Sequence, residues 1–380
     1  MSSLTAPAAP PESGSLTTPE LRVDLDAVAH NLAVFRAASR GVVAVVKADA
    51  FGHGDIAAHL LRSGAAALGT TSLAHAVALR RRTGARTLTW LHAPSDAFDE
   101  AVAEGVDIAV PSLEHLGAVA AAAGAVGRPA RVHLHVDLGM SRDGAPREAW
   151  RALTGLSGML AARGLIEPVG LMGHLSHSAE PRHPRNATAR MLFDNAVRSA
   201  ARRGFVARVR HVAATAATLH GAGTDLEFVR IGAGLYGIDP SHSAATPLRP
   251  TMTLRAPVVL TRDVHAGTGV GYGHTWVADR DTRLATVGVG YADGVPRVAA
   301  GRAEVLVRGR RAPVVGTVSM DQIVVDVGDA GVAPGETVTL LGGDGPSLRE
   351  WADWAGSIEH EIITGWGERW TRVHRGGATQ

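Results

Sequence analysis

AVVKADAFGHG, residues 44–54, ends an apolar run on a lysine and passes at once into a glycine-bounded tail. The run, Val42-Val43-Ala44-Val45-Val46, is short, continuous and rich in β-branched side chains, the pattern of a strand buried on both faces. Lys47 is the only lysine in 380 residues, in a chain with 38 Lys and Arg together. Arginine keeps its proton in proteins. Lysine is a primary amine whose pKa falls on burial, so it can become a nucleophile that condenses with an aldehyde. A solvated lysine would drift to arginine as the other cations have. One kept at the end of a buried strand points to chemistry.

Working outward, short β-rich runs alternate with helical spacing from residue 21 to about 237. Candidate strands are 42–48, 67–71, 87–92, 107–110, 132–138, 169–176, 207–213 and 227–231, with helical segments such as 73–82 and 190–203 between them. Eight strands with intervening helices predict an α/β fold, a (β/α)8 barrel. The alternative is a doubly wound open sheet, against which stands the lack of GxGxxG after the first strand. Beyond about residue 240, alternating runs at 253–260, 284–289, 304–307, 312–315, 322–327 and 337–341 are separated by Gly, Asp and Pro turns. They predict a second, mainly β domain that ends in helical stretches near 347–356 and 361–365. The expected organisation is a leader over 1–19, a barrel over 20–240 and a β domain over 241–380.

The leader, MSSLTAPAAPPESGSLTTP, is disordered by composition. It lacks the basic start and apolar core of a secretory signal. With no cysteine, disulfides and thiolate chemistry are excluded, which fits a cytoplasmic address. The formal charge is only +2, and no basic tract interleaves with aromatics, so no nucleic-acid partner is expected. The alanine-rich stretch 116–126 is too short to span a membrane.

In a barrel, chemistry collects at the C-terminal ends of the strands. Lys47 lies there on the first strand, Asp137-Leu138-Gly139-Met140-Ser141-Arg142 follows the fifth, and His174 closes the sixth. Ala214-Thr215 follows the seventh, and Arg230-Ile231-Gly232-Ala233 closes the eighth. The loops after strands seven and eight commonly hold a phosphate through N–H groups and hydroxyls, a role that Thr215, Gly232 and Ala233 fit. An amine nucleophile beside a phosphate site predicts pyridoxal phosphate as cofactor. Only three tyrosines occur, Tyr236, Tyr272 and Tyr291, and the last two sit in the Gly-flanked turns GVGYGHTW and GVGYADGVPR. Either could be a plain exposed turn residue. Racemisation, however, needs a base on each face of a planar carbanion, and a phenol can serve.

AVVKADAFGHG, VDLGMSRDG, VRIGAGLYG, GYGHTW, GYADGVPR and SMDQ, in that order, resemble the motifs of the alanine racemase family over about residues 21–372. The resemblance implies a barrel plus C-terminal β domain, pyridoxal phosphate, a small amino-acid substrate and a head-to-tail homodimer with shared active sites. It further implies that Lys47 carries the cofactor and acts as base on one face. Tyr272 of the partner subunit would be the opposite base, with His174 bonded to it and Arg230 behind, facing the pyridine nitrogen. Arg142 and the backbone of Met320 would hold the substrate carboxylate, and Tyr291 and Asp321 would line the entrance.

The chain departs from the family pattern at several positions. Phe51 stands where a phosphate-binding tyrosine is usual, Asp49 for a common Asn, and His135 for a lysine that is often carbamylated. Ala214-Thr215 stands for Asn-Ser, Thr317 and Ser319 for a frequent Arg and Cys, and Glu368 for a tyrosine found in some members. These changes keep a serine or other amino-acid racemase in play. Two further alternatives are a fold-related decarboxylase, which has no use for GYGHTW, and a non-catalytic cofactor-binding barrel, which lacks the second domain. His53, His92 and His115 lack metal-ligand spacing and read as structural. Trp351, Trp354, Trp366 and Trp370 read as packing, and Arg80–Arg82 as a solvated helix face.

Overall fold

A computed structural model of the chain describes residues 16–377, so residues 1–15 of the expected leader lie outside the described residues. The chain divides into two compact units. One holds Asp24–Thr251 with Gly376 and Gly377; the other holds residues 16–23 and Met252–Arg375. The expected barrel began at residue 20. Strand β1 (Glu20–Asp24) instead pairs antiparallel with β10 (Met252–Val264) of the second unit, Val23 opposite Met252 and Glu20 opposite Arg255. Its alternation hides Leu21 and Val23 and leaves Arg22 half-buried, which suits a strand packed on one face.

In the first unit, α1 (Leu25–Ala37) starts where the Asp24 carboxylate accepts the Ala27 N–H. Eight parallel strands follow: β2 (Val42–Val45), β3 (Ala67–Thr70), β4 (Thr87–Thr89), β5 (Asp107–Val110), β6 (Ala130–His135), β7 (Ile166–Met172), β8 (Val209–His211) and β9 (Val229–Ile231). They run in the order β8-β7-β6-β5-β4-β3-β2-β9. The ring is closed between β8 and β9 by Phe228 N–H to Arg210 O (3.3 Å) and Arg230 N–H to Ala213 O (3.0 Å). This is the (β/α)8 barrel expected from sequence. Between the strands lie α3 (Ala57–Arg62), α4 (Leu73–Thr83), α5 (Asp99–Ala103), α6 (Leu113–Val126), α7 (Arg147–Ala162), α8 (Pro184–Ala201) and α9 (Thr215–Leu219). Ser72 and Ser112 cap α4 and α6, and left-handed Gly84 and Gly127 stop them.

The segment α2 (Lys47–Gly52) differs from expectation, since the strand read from sequence ran on to residue 48. Ala48, Asp49, Ala50 and Phe51 all have φ between 51° and 56°, a left-handed turn made without glycine. Each such residue costs about 1–2 kcal/mol. A buried framework opposes that cost. The Phe51 ring stacks on Tyr236 (4.6 Å, 26°), and the Tyr236 hydroxyl donates to Val45 O (3.0 Å). His53, fully buried, bridges Phe51 O (2.9 Å) and Thr251 Oγ1 (2.7 Å). The turn ends β2 abruptly and fixes where Lys47 leaves the barrel.

In the second unit, β10, β13 (Thr282–Val287), β16 (Ile323–Asp326), β15 (Arg310–Val315), β14 (Glu304–Val307) and β17 (Thr337–Leu341) form an antiparallel ring. It closes because β10, bulged at two places, pairs with both β17 and β13. The hairpin β11 (Gly269–Val270) and β12 (Trp276–Val277) projects from it. Beyond it come α10 (Leu348–Ala355), α11 (Glu359–Thr364) and β18 (Thr371–Arg375). Trp351, Trp366 and Trp370 are buried edge to face, with Trp351 Nε1 donating to Leu340 O and Trp370 Nε1 to Asp293 O.

Candidate active site

At the C-terminal mouth of the barrel, the predicted residues Lys47, Arg142, His174 and Arg230 share one electrostatic environment. Burial, then the charge of Arg142, hold the Lys47 ammonium below its ordinary value, so more of it is neutral at a given pH. Burial, then Arg230, Arg142, His135 and Lys47, lower His174 to about 3, so its ring is neutral. Arg230 is buried, which lowers its guanidinium to about 10. Its Nη1 donates to His211 Nδ1 (2.7 Å) and His211 O (3.1 Å), and its Nη2 to Gly173 O (2.8 Å) and His174 Nδ1 (3.2 Å). A guanidinium carries five N–H donors. Those contacts engage both Nη groups and, among the described residues, leave Nε–H without a partner. His174 accepts at Nδ1, so its neutral ring presents Nε2–H outward.

Arg142 is exposed on the loop after β6. Asp137 Oδ1 pins that loop by accepting the N–H groups of Gly139 (2.9 Å), Met140 (3.0 Å) and Ser141 (3.1 Å), and Ser141 is left-handed at φ 56°. His135 is buried, with Nδ1 3.3 Å from Asp143 Oδ2 but not aligned as a hydrogen bond. Burial alone would raise Asp143. His135 and the Gly144 N–H (2.7 Å) outweigh it and hold the carboxyl low.

Thr215 is buried at the start of α9, where its Oγ1 accepts the Gly234 N–H (3.0 Å) and keeps its own proton to donate. Gly232, Ala233 and Gly234 follow β9, and a Cβ on Gly234 would overlap the Phe35 ring. Phe51 lies against Gly232 and offers no hydroxyl there. The set fits pyridoxal phosphate: one amine, a hydroxyl beside backbone N–H groups for a phosphate, and a buried cation with a single free donor.

The other predicted residues lie in the second unit. Tyr272 begins a turn between β11 and β12. Gly271 approaches Thr317, and a Cβ on Gly290 would overlap the carbonyls of Ser319 and Met320. Tyr291 N–H donates to Ser319 O (3.0 Å) and Ala292 N–H to Met320 O (2.9 Å). Tyr272, Tyr291, Met320 and Asp321 therefore gather on adjoining loops. They are exposed, Tyr272 by 78% and Met320 by 54%. Tyr236, by contrast, is buried, and burial first and Asp49 second raise its phenol, which marks it as structural.

Two sequence models match the chain, "Alanine racemase, N-terminal domain" over residues 23–240 and "Alanine racemase, C-terminal domain" over residues 251–374. The chain belongs to the alanine racemase family. This is a pyridoxal-phosphate-dependent isomerase family. The chain is 41% identical to the alanine racemase of Thermobifida fusca over 366 residues, 94% of this chain and 98% of that one. It is 40% identical to the alanine racemase of Salinispora arenicola over 363 residues, 94% and 97% of the two chains. Among solved structures, the alanine racemase of D-cycloserine-producing Streptomyces lavendulae superposes with a TM-score of 0.92 at 38% identity, covering 96% of this chain and 98% of that chain. The Bartonella henselae alanine racemase, described with covalently bound pyridoxal phosphate, gives 0.85 at 25% identity, covering 95% and 100%.

Sequence reasoning passed over the residues behind Arg230. Asp107, His133 and His211 are all buried and joined by side-chain contacts. A signal was present in VHLHV, residues 132–136, where two histidines alternate within an apolar strand. Among the described residues no helix is long and apolar enough to cross a membrane.

Proposed function

We propose that this protein interconverts L- and D-alanine by a two-base mechanism in a shared active site, supplying D-alanine for cell-wall precursors in the cytoplasm. The observation that carries the reading is the single amine, Lys47, set beside Arg142, His174 and the one free donor of Arg230. Pyridoxal phosphate, when bound, supplies the electron-withdrawing ring that makes the substrate α-hydrogen removable.

The barrel would carry the cofactor, and residues of a second copy would complete the site. Lys47 would hold the cofactor, and its amine, lowered by burial and Arg142, would take or return the α-proton on one face. Thr215 and the N–H groups of Gly232 and Ala233 hold the phosphate. Arg230 Nε–H would face the pyridine nitrogen of the bound cofactor and, as a guanidinium that does not readily give up its proton, would leave that nitrogen neutral. Arg142 holds the substrate carboxylate with the Met320 backbone. The Tyr272 phenol would work on the opposite face, with His174 Nε2–H donating to its oxygen. Tyr291 and Asp321 line the entrance. Tyr272 and Met320 come from a second copy in a head-to-tail homodimer. Their exposure on one chain supports this, because large apolar groups gathered on one face mark an interaction surface.

The test is proton NMR of L-alanine in D2O with cofactor-loaded protein, followed by chiral analysis. Loss of the α-proton signal with growth of D-alanine is expected. Exchange without inversion removes the second base, and turnover of serine but not alanine replaces the substrate. Lys47→Arg is expected to abolish activity, by ~10³-fold or more. It should also abolish the single borohydride-fixed adduct that wild type carries on residue 47. An active Lys47→Arg enzyme would sink the assignment.

A further inference from the structure

Behind Arg230 the structure holds a chain of buried polar groups, Asp107, His133 and His211, to which the proposed reaction gives no role. It starts at Arg230 on β9 and ends at Asp107, the first residue of β5. Arg230 Nη1 contacts His211 Nδ1 at 2.7 Å, His211 Nε2 contacts His133 Nδ1 at 2.9 Å, and His133 Nε2 contacts Asp107 Oδ2 at 3.2 Å. Asp107 also takes Arg86 Nε and Arg131 Nε, each at 2.6 Å. The strand polarity sets the direction. Asp107 opens β5 at its N-terminal end, whereas His211 closes β8 at its C-terminal end beside Arg230, so the chain runs along the bore from the closed end toward the mouth.

Chemistry fixes every proton in this chain. A guanidinium can only donate, so His211 Nδ1 is an acceptor. A neutral imidazole then carries its proton on Nε2, which donates to His133 Nδ1. His133 in turn carries its proton on Nε2 and donates to a carboxylate that can only accept. Burial, the leading cause at both rings, holds His133 and His211 below their ordinary values and keeps them neutral. The charged and titratable groups facing the pair are Asp107, Arg86, Arg131, Arg230 and, toward His211, His135. Gly170 on β7 is shaped around the device, because a Cβ there would overlap the His133 imidazole.

We infer that Asp107, His133 and His211 are positioning residues for Arg230: a one-way hydrogen-bond relay that anchors its Nη1 edge and so leaves only Nε–H to face the mouth. The relay rests on the proposed function for its purpose but not for its geometry. It explains how a buried guanidinium is held without a carboxylate beside it. The countercharge sits at the far end of the barrel, and two neutral rings transmit its orientation.

The decisive measurement is histidine tautomer NMR on ¹³C,¹⁵N-histidine-labelled protein, with His133→Gln and His211→Gln used for assignment. Both rings are expected as the Nε2–H form, without titration from about pH 5 to 8. Either ring carrying its proton on Nδ1, or titrating in that range, overturns the relay. His133→Leu cuts the chain, whereas His133→Gln keeps one acceptor and one donor in the same direction. His133→Leu is expected to shift the His211 Nε2 proton resonance and to lower kcat about tenfold with KM for alanine nearly unchanged. His133→Gln should recover most of both. Unchanged His211 signals in His133→Leu, or equal losses in the two variants, also overturn the relay. If His133→Leu does not fold, the wild-type tautomers decide. Wild-type protein with the assigned tautomers but no racemase activity would refute the proposed function and support the relay's geometry.

Discussion

The mouth of the barrel and the exposed loops of the β unit are built on opposite principles. At the mouth, Arg230 has both its Nη groups engaged, His174 is held neutral, and the turn after Lys47 is left-handed over four residues. On the β unit, Tyr272 is 78% exposed, and among the described residues no side-chain hydrogen bond to its phenol occurs. The difference separates two tasks. Holding a cofactor requires donors fixed before it arrives, so their order is built into one chain. In the proposed reading, a base that acts on the opposite face stays open until a second copy brings it to its target.

Tyr272→Phe tests that contrast with the largest effect. Removal of a general base costs about 10²–10⁴-fold, and the loss should fall on proton abstraction from one enantiomer. Because the side chain is exposed, folding stability should stay within about 0.5 kcal/mol of wild type. Paired measurements of deuterium wash-in from L- and D-alanine, with thermal melts, check both. Equal and small losses in the two directions would remove Tyr272 as a base. A large loss of stability would make it a packing residue, and the contrast between the regions would collapse.

Acid should separate the two units next. His174 is lowered to about 3, and His133 and His211 are lowered as well, so the folded barrel keeps these rings neutral. Unfolded histidine binds a proton near pH 6.5. As pH falls below that value the unfolded chain takes up protons that the fold refuses. Each ring then costs up to about 1.4 kcal/mol of stability per pH unit, down to its folded pKa. In the β unit the groups among the described residues that are shifted within the acid range are carboxylates. Arg283 holds Asp263 low and Arg308 holds Glu336 low, which favours the fold above pH ~4 and is lost below it. Hydrogen exchange followed from about pH 7 to 4.5 should show protection falling in the barrel strands first. Equal loss in both units, or none above pH 4.5, would contradict the assignment of neutral buried rings.

Much of this was legible in the sequence for a physical reason. Parallel barrel strands are buried on both faces, so runs such as Val42–Val45 and Asp107–Val110 announce themselves as apolar. Lys47 was legible because a residue type used once is conspicuous. β1 was missed because its partner β10 lies more than two hundred residues away, and no local pattern reports a long-range pairing. The left-handed turn was missed because Ala-Asp-Ala-Phe carries no glycine. What stabilises it, Tyr236, His53 and Thr251, is largely remote in sequence. The relay behind Arg230 was missed because its members come from β5, β6, β8 and β9, and only His133 and His135 share a visible pattern.

The smallest expected effect lies at the edge of the exposed face. Arg369 Nη1 pairs with Asp321 Oδ1 at 2.6 Å, and its Nε with Asp293 Oδ1 at 3.2 Å. Asp293 is buried, and its other oxygen already accepts the Gly290 N–H at 2.8 Å. Arg369 is half exposed, so its ion pairs are screened by solvent and weak. Arg369→Ala should therefore leave kcat and the melting temperature almost unchanged. If Asp321 and Tyr291 line the way in, freeing Asp321 should raise KM for alanine about two- to threefold, within the strength of one exposed pair. Steady-state kinetics at low and high salt would show it, because wild type should approach the variant's KM as salt screens the pair. A fall in kcat with KM unchanged would instead mean that this arginine orders Tyr272, and the β-unit loops would then be as preorganised as the barrel mouth.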